Sequence, residues 1–135
     1  MTLEQLEELK ERLTKATGPD SGLDEAIMLV LQPHHADGGY SLLEVPRYTA
    51  SLDAAIALTN AVLPGYARIN DGSRIGAPWA GYTDKFLCRL YPPHEKTTRT
   101  AGVHYDGEHQ SEPIAILLAT VNALIEREKN DDKAS

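Results

Sequence analysis

The sequence predicts one α+β domain, in which about four helices cover or sandwich a mainly antiparallel sheet of three to five strands. Four segments of the 135-residue chain carry apolar residues at spacings of three and four, each opened by a capping residue. Short segments of strand-forming residues lie between them, bounded by Gly, Pro and Asp. The expected order is α-α-β-α-β-β-(β)-α, with the domain over residues 1–129 and a disordered tail over residues 130–135.

The first two helices follow from caps and breakers. Thr2 can cap a helix whose leucines 3, 6, 9 and 13 form one apolar stripe, and Gly18–Pro19 ends it. Asp20 or Ser21 can cap a second, shorter helix. Residues 23–31 of this second helix are almost uniformly apolar, which predicts burial against more than one element.

A first strand and a third helix come next. Residues 40–45 are predicted as a strand that Pro46 ends or keeps at a sheet edge. Ser51 caps a helix to about Leu63, with Asp53 favourably placed in its first turn. Its predicted buried face consists of Leu52, Ala55, Ile56, Leu58, Thr59 and Val62.

The second half of the chain supplies the remaining strands and the last helix. Residues 66–70 alternate and precede an Asp–Gly turn, and residues 85–91 form the strongest strand. A further strand is expected over residues 97–105, followed by a turn over residues 106–110. Ser111 caps a long final helix. Its predicted core face consists of Ile114, Leu117, Leu118, Val121, Leu124 and Ile125.

Composition limits the classes of function. Twenty acidic and thirteen basic residues give a net charge of −7, which argues against broad binding to nucleic acid or to an anionic membrane. Cys88 is the only cysteine, which excludes an intramolecular disulfide, and we expect a buried, reduced thiol. The N-terminus lacks the pattern of a signal peptide, and no stretch has the ~18 apolar residues of a membrane span. We therefore expect a cytoplasmic protein.

Two segments resemble a known family. Residues 18–27 read Gly-Pro-Asp-Ser-Gly-Leu-Asp-Glu-Ala-Ile, and residues 46–55 read Pro-Arg-Tyr-Thr-Ala-Ser-Leu-Asp-Ala-Ala. With the alanine- and leucine-rich final helix, they make the chain similar to small phage and prophage proteins that carry the phage "ABA sandwich" domain. The opening of the final helix, Ser-Glu-Pro-Ile, departs from the family's usual Pro-Ala-Leu-Ala-Leu, and residues 68–110 carry no match. The resemblance implies a phage-related gene, a sandwich fold and the host cytosol, and it implies no reaction.

Known catalytic and phosphate-binding motifs are missing from the sequence. There is no Gly-x-Ser-x-Gly elbow, no P-loop and no Gly-x-Gly-x-x-Gly fingerprint. Ser51 could be a nucleophile, but its place before Leu-Asp-Ala-Ala favours a helix cap. The helix start could still bind a phosphate, with Arg47 beside it. We predict no catalytic residue and no cofactor.

The best candidate ligand surface is residues 74–82, within the Gly- and Pro-rich segment 73–83. Trp79 and Tyr82 could stack on bases, and Arg74 or Arg99 could pair with a phosphate. The alternative is that the two aromatic side chains cover the sheet. Arg89 is expected within a strand and is not counted among the available arginines.

Two clusters of histidine and aspartate could ligate a metal. They are His34, His35 and Asp37 in one turn, and His104, Asp106 and His109 near another. Imidazole and carboxylate suit divalent metals, but neither spacing is that of a compact zinc motif. Exposed polar loops are the alternative, and we predict no metal site.

These observations predict a non-enzymatic binding protein. By analogy of setting and size with phage anti-defence sponges, the preferred version is a homo-oligomer that sequesters a nucleotide-derived immune signal, such as a cyclic ADP-ribose isomer or a cyclic oligonucleotide. Oligomers are expected because the apolar second helix and the leucine stripes exceed what one small sheet can bury. One alternative is an anti-CRISPR-like inhibitor of a host defence complex, with an acidic surface that mimics nucleic acid. The other is a small metal-dependent hydrolase that uses the two His/Asp clusters.

Overall fold

A computed structural model describes residues 2–31, 45–71, 86–93 and 104–134 of the chain. Over these residues the backbone forms four helices and three strands. They are α1 (Leu3–Lys15), α2 (Ser21–Leu31), α3 (Leu52–Val62), β1 (Ala67–Asp71), β2 (Phe86–Tyr91), β3 (Tyr105–His109) and α4 (Glu112–Ala134). The strands form one antiparallel sheet in the order β1-β2-β3. The predicted α+β class is therefore confirmed.

Helix α4 is the centre of the domain. Nearly every residue from Ile114 to Ile125 is buried, on all sides of the helix. One side of α4 packs against β2 and β3, while α1 and α3 pack elsewhere on its surface and α2 packs on α1. The predicted core face of this helix is confirmed. The remaining residues are buried as well because α4 lies between the sheet and the other helices.

Strand β3 corrects the sequence prediction. Residues 106–110 were expected to form a turn, but Tyr105–His109 is a strand paired with β2, while residues 97–103 of the predicted strand lie outside the described residues. Gly107 explains the error. A Cβ at this position would lie 2.1 Å from the Ala115 carbonyl oxygen and 2.4 Å from the Ala119 nitrogen. The glycine therefore serves the close approach of α4 to the strand and does not form a turn.

The starts of α1, α2 and α3 confirm three of the four predicted caps. Thr2 and Gln5 form a reciprocal capping box on α1, and the Asp20 carboxylate accepts a hydrogen bond from Leu23 N–H at 3.1 Å. The Ser51 hydroxyl oxygen accepts from Ala54 N–H at 3.2 Å and caps α3. Helix α1 ends at Lys15, slightly before the predicted stop at Gly18.

A buried polar contact connects α2 to the turn that leads into α3. One carboxylate oxygen of Asp24, a residue only 6% exposed, accepts hydrogen bonds from the Thr49 N–H at 2.8 Å and the Thr49 hydroxyl at 2.7 Å. The Thr49 oxygen in turn accepts from Asp20 N–H at 2.9 Å. Buried carboxylates require such partners. The two segments that carry the family resemblance are thus joined by their own side chains.

The predicted burial of the helices holds only in part. In α3, Ala55, Leu58 and Thr59 are buried, Ile56 and Val62 are half-buried, and Leu52, the first residue of the helix, is exposed. Helix α2 is not buried all round either: Leu29 is 62% exposed. Cys88 is buried and reduced, as predicted.

Other sequence predictions concern the chain ends and segments outside the described residues. The predicted strand over residues 40–45 lies outside the described residues except for Val45, which is not part of a strand. Helix α4 continues to Ala134, beyond the predicted domain end at residue 129. Among the described residues, no helix has the length and apolar character needed to cross a bilayer.

Candidate functional site

The sheet has one face against α4 and one face away from it. Cys88 and Gly107 are paired neighbours and are buried toward α4. Because side chains alternate along a strand, the residues that flank Cys88 in β2 and Gly107 in β3 point to the opposite face of the sheet. We call this second face the outer sheet face. Its described residues include Ile69, Leu87, Arg89, Tyr91, Asp106 and Glu108.

Three polar side chains come together on the outer sheet face. Arg89 and Asp106 are directly opposite each other in the β2–β3 register. The Arg89 Nε lies 3.4 Å from Asp106 Oδ1, and the same oxygen lies 2.8 Å from His104 Nδ1. The side chains of Arg89, His104 and Asp106 are each about one-third to two-fifths exposed, so a solute can reach them. We refer to these three residues as the Arg–Asp–His cluster.

The hydrogen bond to Asp106 sets the orientation of the His104 ring. An ionised carboxylate can only accept, so His104 Nδ1 carries the proton in this contact. In the neutral ring, Nε2 is then the unprotonated nitrogen, which can accept a hydrogen bond from another molecule. It has no hydrogen-bond partner among the residues that the structure describes. The ring also packs edge-on against Tyr91, with centroids 5.8 Å apart and planes inclined by 62°. Two independent contacts therefore hold the imidazole in place.

Arg89 has hydrogen-bonding capacity to spare. Its Nε atom is buried and makes no hydrogen bond within the described part of the chain. The side chain as a whole is nonetheless 43% exposed, so its exposed portion lies elsewhere than Nε. A guanidinium has five N–H donors in a planar fork that matches phosphate or carboxylate oxygens. The cluster thus presents donors to a ligand on the outer sheet face.

The cluster lacks a neighbouring nucleophile in the described part of the chain. Cys88 is adjacent in sequence to Arg89, but its side chain lies on the α4 side of the sheet. Burial raises the pKa of the Cys88 thiol to about 12, and Asp106 and Glu112 add to this shift while Arg68 opposes it. At neutral pH the thiol is protonated and inaccessible. Cys88 therefore takes no part in the outer sheet face.

The second candidate cluster of metal ligands, His104, Asp106 and His109, does not converge on one point. His104 and Asp106 are together, but His109 lies on the α4 side of the sheet. Its Nε2 donates to the Ala16 carbonyl oxygen at 2.7 Å, and its Nδ1 accepts from Ser111 N–H at 2.8 Å. His109 therefore connects the end of α1 to the start of α4. No group of three metal-ligating side chains is found in the described ranges, and His34, His35 and Asp37 lie outside them.

Two of the six predicted ligand residues lie in the described structure. Arg47 is exposed, and its carbonyl oxygen accepts from Ser51 N–H at 2.8 Å, so both residues belong to the turn that starts α3. The Ser51 hydroxyl is occupied as the helix cap. Asp20 and Asp53 are exposed close to the same helix start and place negative charge where an anion would bind.

The other four predicted residues, Arg74, Trp79, Tyr82 and Arg99, lie outside the described residues. The two segments that contain them join the sheet at opposite ends. Residues 72–85 connect the end of β1 to the start of β2, whereas residues 94–103 connect the far end of β2 to β3. The Arg–Asp–His cluster lies toward the second of these ends.

Sequence reasoning groups His104 with Asp106, but it misses Arg89. A strand position alone does not exclude Arg89 from a site, because alternation with the apolar Cys88 indicates an outward side chain. The pairing of Arg89 with Asp106 is not foreseen, because residues 106–110 are expected to form a turn. In a strand, residues two apart share a face, as His104 and Asp106 do here.

Comparison of the chain with protein families, with curated proteins and with solved structures finds no match. The resemblance to the phage "ABA sandwich" proteins therefore stays a prediction.

Proposed function

We propose that this chain is a non-enzymatic binding protein for a small anionic nucleotide. The observation that carries the proposal is the Arg–Asp–His cluster on the outer sheet face, with Tyr91 beside it. Arginine N–H groups bind phosphates, and aromatic rings stack on bases. The fixed imidazole adds a hydrogen-bonding group beside them.

The charges of the cluster define how such a ligand would be held. With neutral His104, the positive charge of Arg89 and the negative charge of Asp106 cancel. Binding would then depend on directed hydrogen bonds, because the chain as a whole is acidic. Arg89 would donate a bidentate contact to a phosphate, and the unprotonated His104 Nε2 would accept from an N–H or O–H of the ligand. Asp106 would keep the guanidinium and the imidazole in position.

The absence of a nucleophile beside the cluster, within the described ranges, supports sequestration over turnover. The only cysteine is buried on the other face, and the Ser51 hydroxyl is bonded to its own helix. The Asp–His pair fixes the imidazole, and the described residues place no serine or cysteine side chain beside it for the imidazole to activate. Release of the intact ligand is therefore the expected outcome of binding.

In the biological setting that the family resemblance implies, the protein would be a phage-encoded homo-oligomeric sponge in the host cytosol. Its ligand would be a cyclic ADP-ribose isomer or a cyclic oligonucleotide made by a defence enzyme. We propose that Arg74, Trp79, Tyr82 and Arg99 contribute further contacts to the same ligand. This version requires no cofactor.

A second candidate is an inhibitor that binds a host protein through an acidic surface. One observation favours it: Glu4, Glu7, Glu8 and Glu11 are all exposed along α1. A row of carboxylates on a helix can imitate the phosphates of a nucleic acid strand. This candidate requires no contribution from the outer sheet face.

Calorimetric titration with cyclic nucleotides and ADP-ribose isomers tests the proposal. We expect at least one member to bind, and Arg89→Ala to weaken binding by about 1.5–3 kcal/mol if it removes a charge-assisted hydrogen bond. Arg47→Ala tests whether the ligand binds at the start of α3 instead of at the cluster. Lys10→Ala, at an exposed position of α1, removes the same charge far from either site. Neither variant should change the affinity. No binding at about 100 μM protein would contradict the proposal and favour the inhibitor. Hydrolysis that a chelator stops would instead favour the metal-dependent hydrolase.

A further inference from the structure

An apolar groove lies between α1 and α2, with the buried side chain of Leu9 in its lining. It has a volume of about 270 Å³. Its lining includes Ala26, Leu29 and Val30 from α2 and Gln5, Glu8 and Arg12 from α1. Leu29 is 62% exposed, the most exposed of the large apolar side chains in the described ranges.

The sequence of α2 makes this groove unusual for a water-facing surface. Ala26, Leu29 and Val30 follow the i, i+3, i+4 spacing of one helical stripe. The charged residues of α2 are confined to its first turns: Asp24 is buried against Thr49, and Glu25 precedes the stripe. Ala26 and Val30 are half-buried against the core, so the outward face of the last two turns of α2 presents Leu29 and no charge. Such a face suits contact with another molecule.

The charges beside the stripe indicate what covers it. Glu8 and Arg12 lie one turn apart on α1 and carry opposite charges. A strongly basic or strongly acidic partner would meet a like charge at one of them. A second copy related by a two-fold axis would place Arg12 against Glu8 of the other copy, and Glu8 against its Arg12. A two-fold interface requires such self-complementarity.

We propose that two copies of the chain associate through this groove, with Leu29 of each copy packed into the groove of the other. The interface is formed by the outward faces of α1 and α2, away from the outer sheet face. The inference is independent of the proposed nucleotide binding, because it uses none of the residues of the Arg–Asp–His cluster.

Sedimentation equilibrium over a range of protein concentrations tests the interface. We expect a reversible dimer of twice the 14.8 kDa chain. Leu29→Ser should weaken association by about tenfold or more, since the symmetric interface loses two buried side chains. Ile69→Ser is the matched control, because Ile69 is 56% exposed on the outer sheet face, and it should leave association unchanged. A monomer at several hundred micromolar, or a dimer that Leu29→Ser does not weaken, would overturn the inference.

Charge exchange tests the two-fold arrangement itself. Glu8→Arg and Arg12→Glu should each weaken self-association, because each puts like charges opposite one another. The two variants mixed in equal amounts should form a heterodimer more tightly than either forms a homodimer. Circular dichroism of each variant checks that the fold is intact. If the mixture associates no better than the separate variants, the two-fold pairing of Glu8 with Arg12 is wrong.

Discussion

Gly107→Ala tests the packing of α4 on the sheet at its closest point. The added methyl carbon would lie 2.1 Å from the Ala115 carbonyl oxygen, 2.4 Å from the Ala119 nitrogen and 2.9 Å from Leu118 Cβ. Ordinary contacts between such atoms are about 3.5–4.0 Å. Two of the three atoms belong to backbone, so no side-chain rotation relieves the overlap, and helix and strand must separate by on the order of 1 Å.

The cost of this separation is at the upper end for overpacked cores. Overpacking costs about 1–3 kcal/mol, occasionally more. Because α4 is packed on all sides, we expect a loss of about 3 kcal/mol or more in the free energy of unfolding. For a chain of this size, that corresponds to a fall of roughly 10 °C in the melting temperature.

Urea unfolding followed by far-ultraviolet circular dichroism measures the effect. The urea midpoint should fall while the slope of the transition stays the same. Gly18→Ala is the matched control, because a Cβ there would meet no atom within 4 Å, and it should be neutral or slightly stabilising. If Gly107→Ala unfolds within about 0.5 kcal/mol of wild type, the close approach of β3 and α4 is wrong.

Three further predictions concern single residues. Ser51→Ala should lower the free energy of unfolding by about 1 kcal/mol in a urea titration, whereas Ser51→Asp should be nearly neutral, because aspartate also caps helices. Loss of ligand binding in a stable Ser51→Asp protein would contradict the view that Ser51 serves only as a helix cap. Thr49→Val removes both the hydroxyl donor to buried Asp24 and the acceptor for Asp20 N–H. It should lower the free energy of unfolding by about 1.5–3 kcal/mol, and Thr49→Ser, which keeps the hydroxyl, should recover most of the loss. Equal losses in the two variants would contradict this role of the hydroxyl. Cys88, whose pKa burial raises to about 12, should resist iodoacetamide at pH 8 until urea unfolds the chain. Because unfolded thiols ionise near pH 9, the Cys88 contribution to stability should be present below that pH and decrease as the pH rises toward 12; rapid labelling of the folded protein would refute the burial.

Local chemistry accounts for what the sequence predicted well. The Thr2 and Ser51 caps act on backbone groups within three residues, so their effect can be read without knowledge of the tertiary fold. Strand β2 was predicted within one residue of its observed start because its apolar and aromatic residues are concentrated in one short segment.

Long-range packing accounts for what the sequence did not predict. Asp-Gly is typical of a turn, and only the approach of α4 makes Gly107 a strand residue. The partnership of Asp24 with Thr49 spans 25 positions and leaves no periodic signal. The Arg–Asp–His cluster depends on the β2–β3 register, which places Arg89 opposite Asp106. Errors in assigning β3 therefore concealed the candidate site.

The central claim is that the outer sheet face binds an anionic nucleotide without changing it. The most direct measurement incubates the protein with the nucleotide panel, removes unbound material by gel filtration, releases the ligand by heat and identifies it by mass spectrometry. We predict an intact ligand from wild type and from Arg47→Ala, and at least tenfold less from Arg89→Ala at limiting ligand concentration. A cleaved product, or equal recovery from Arg89→Ala and wild type, would contradict the account.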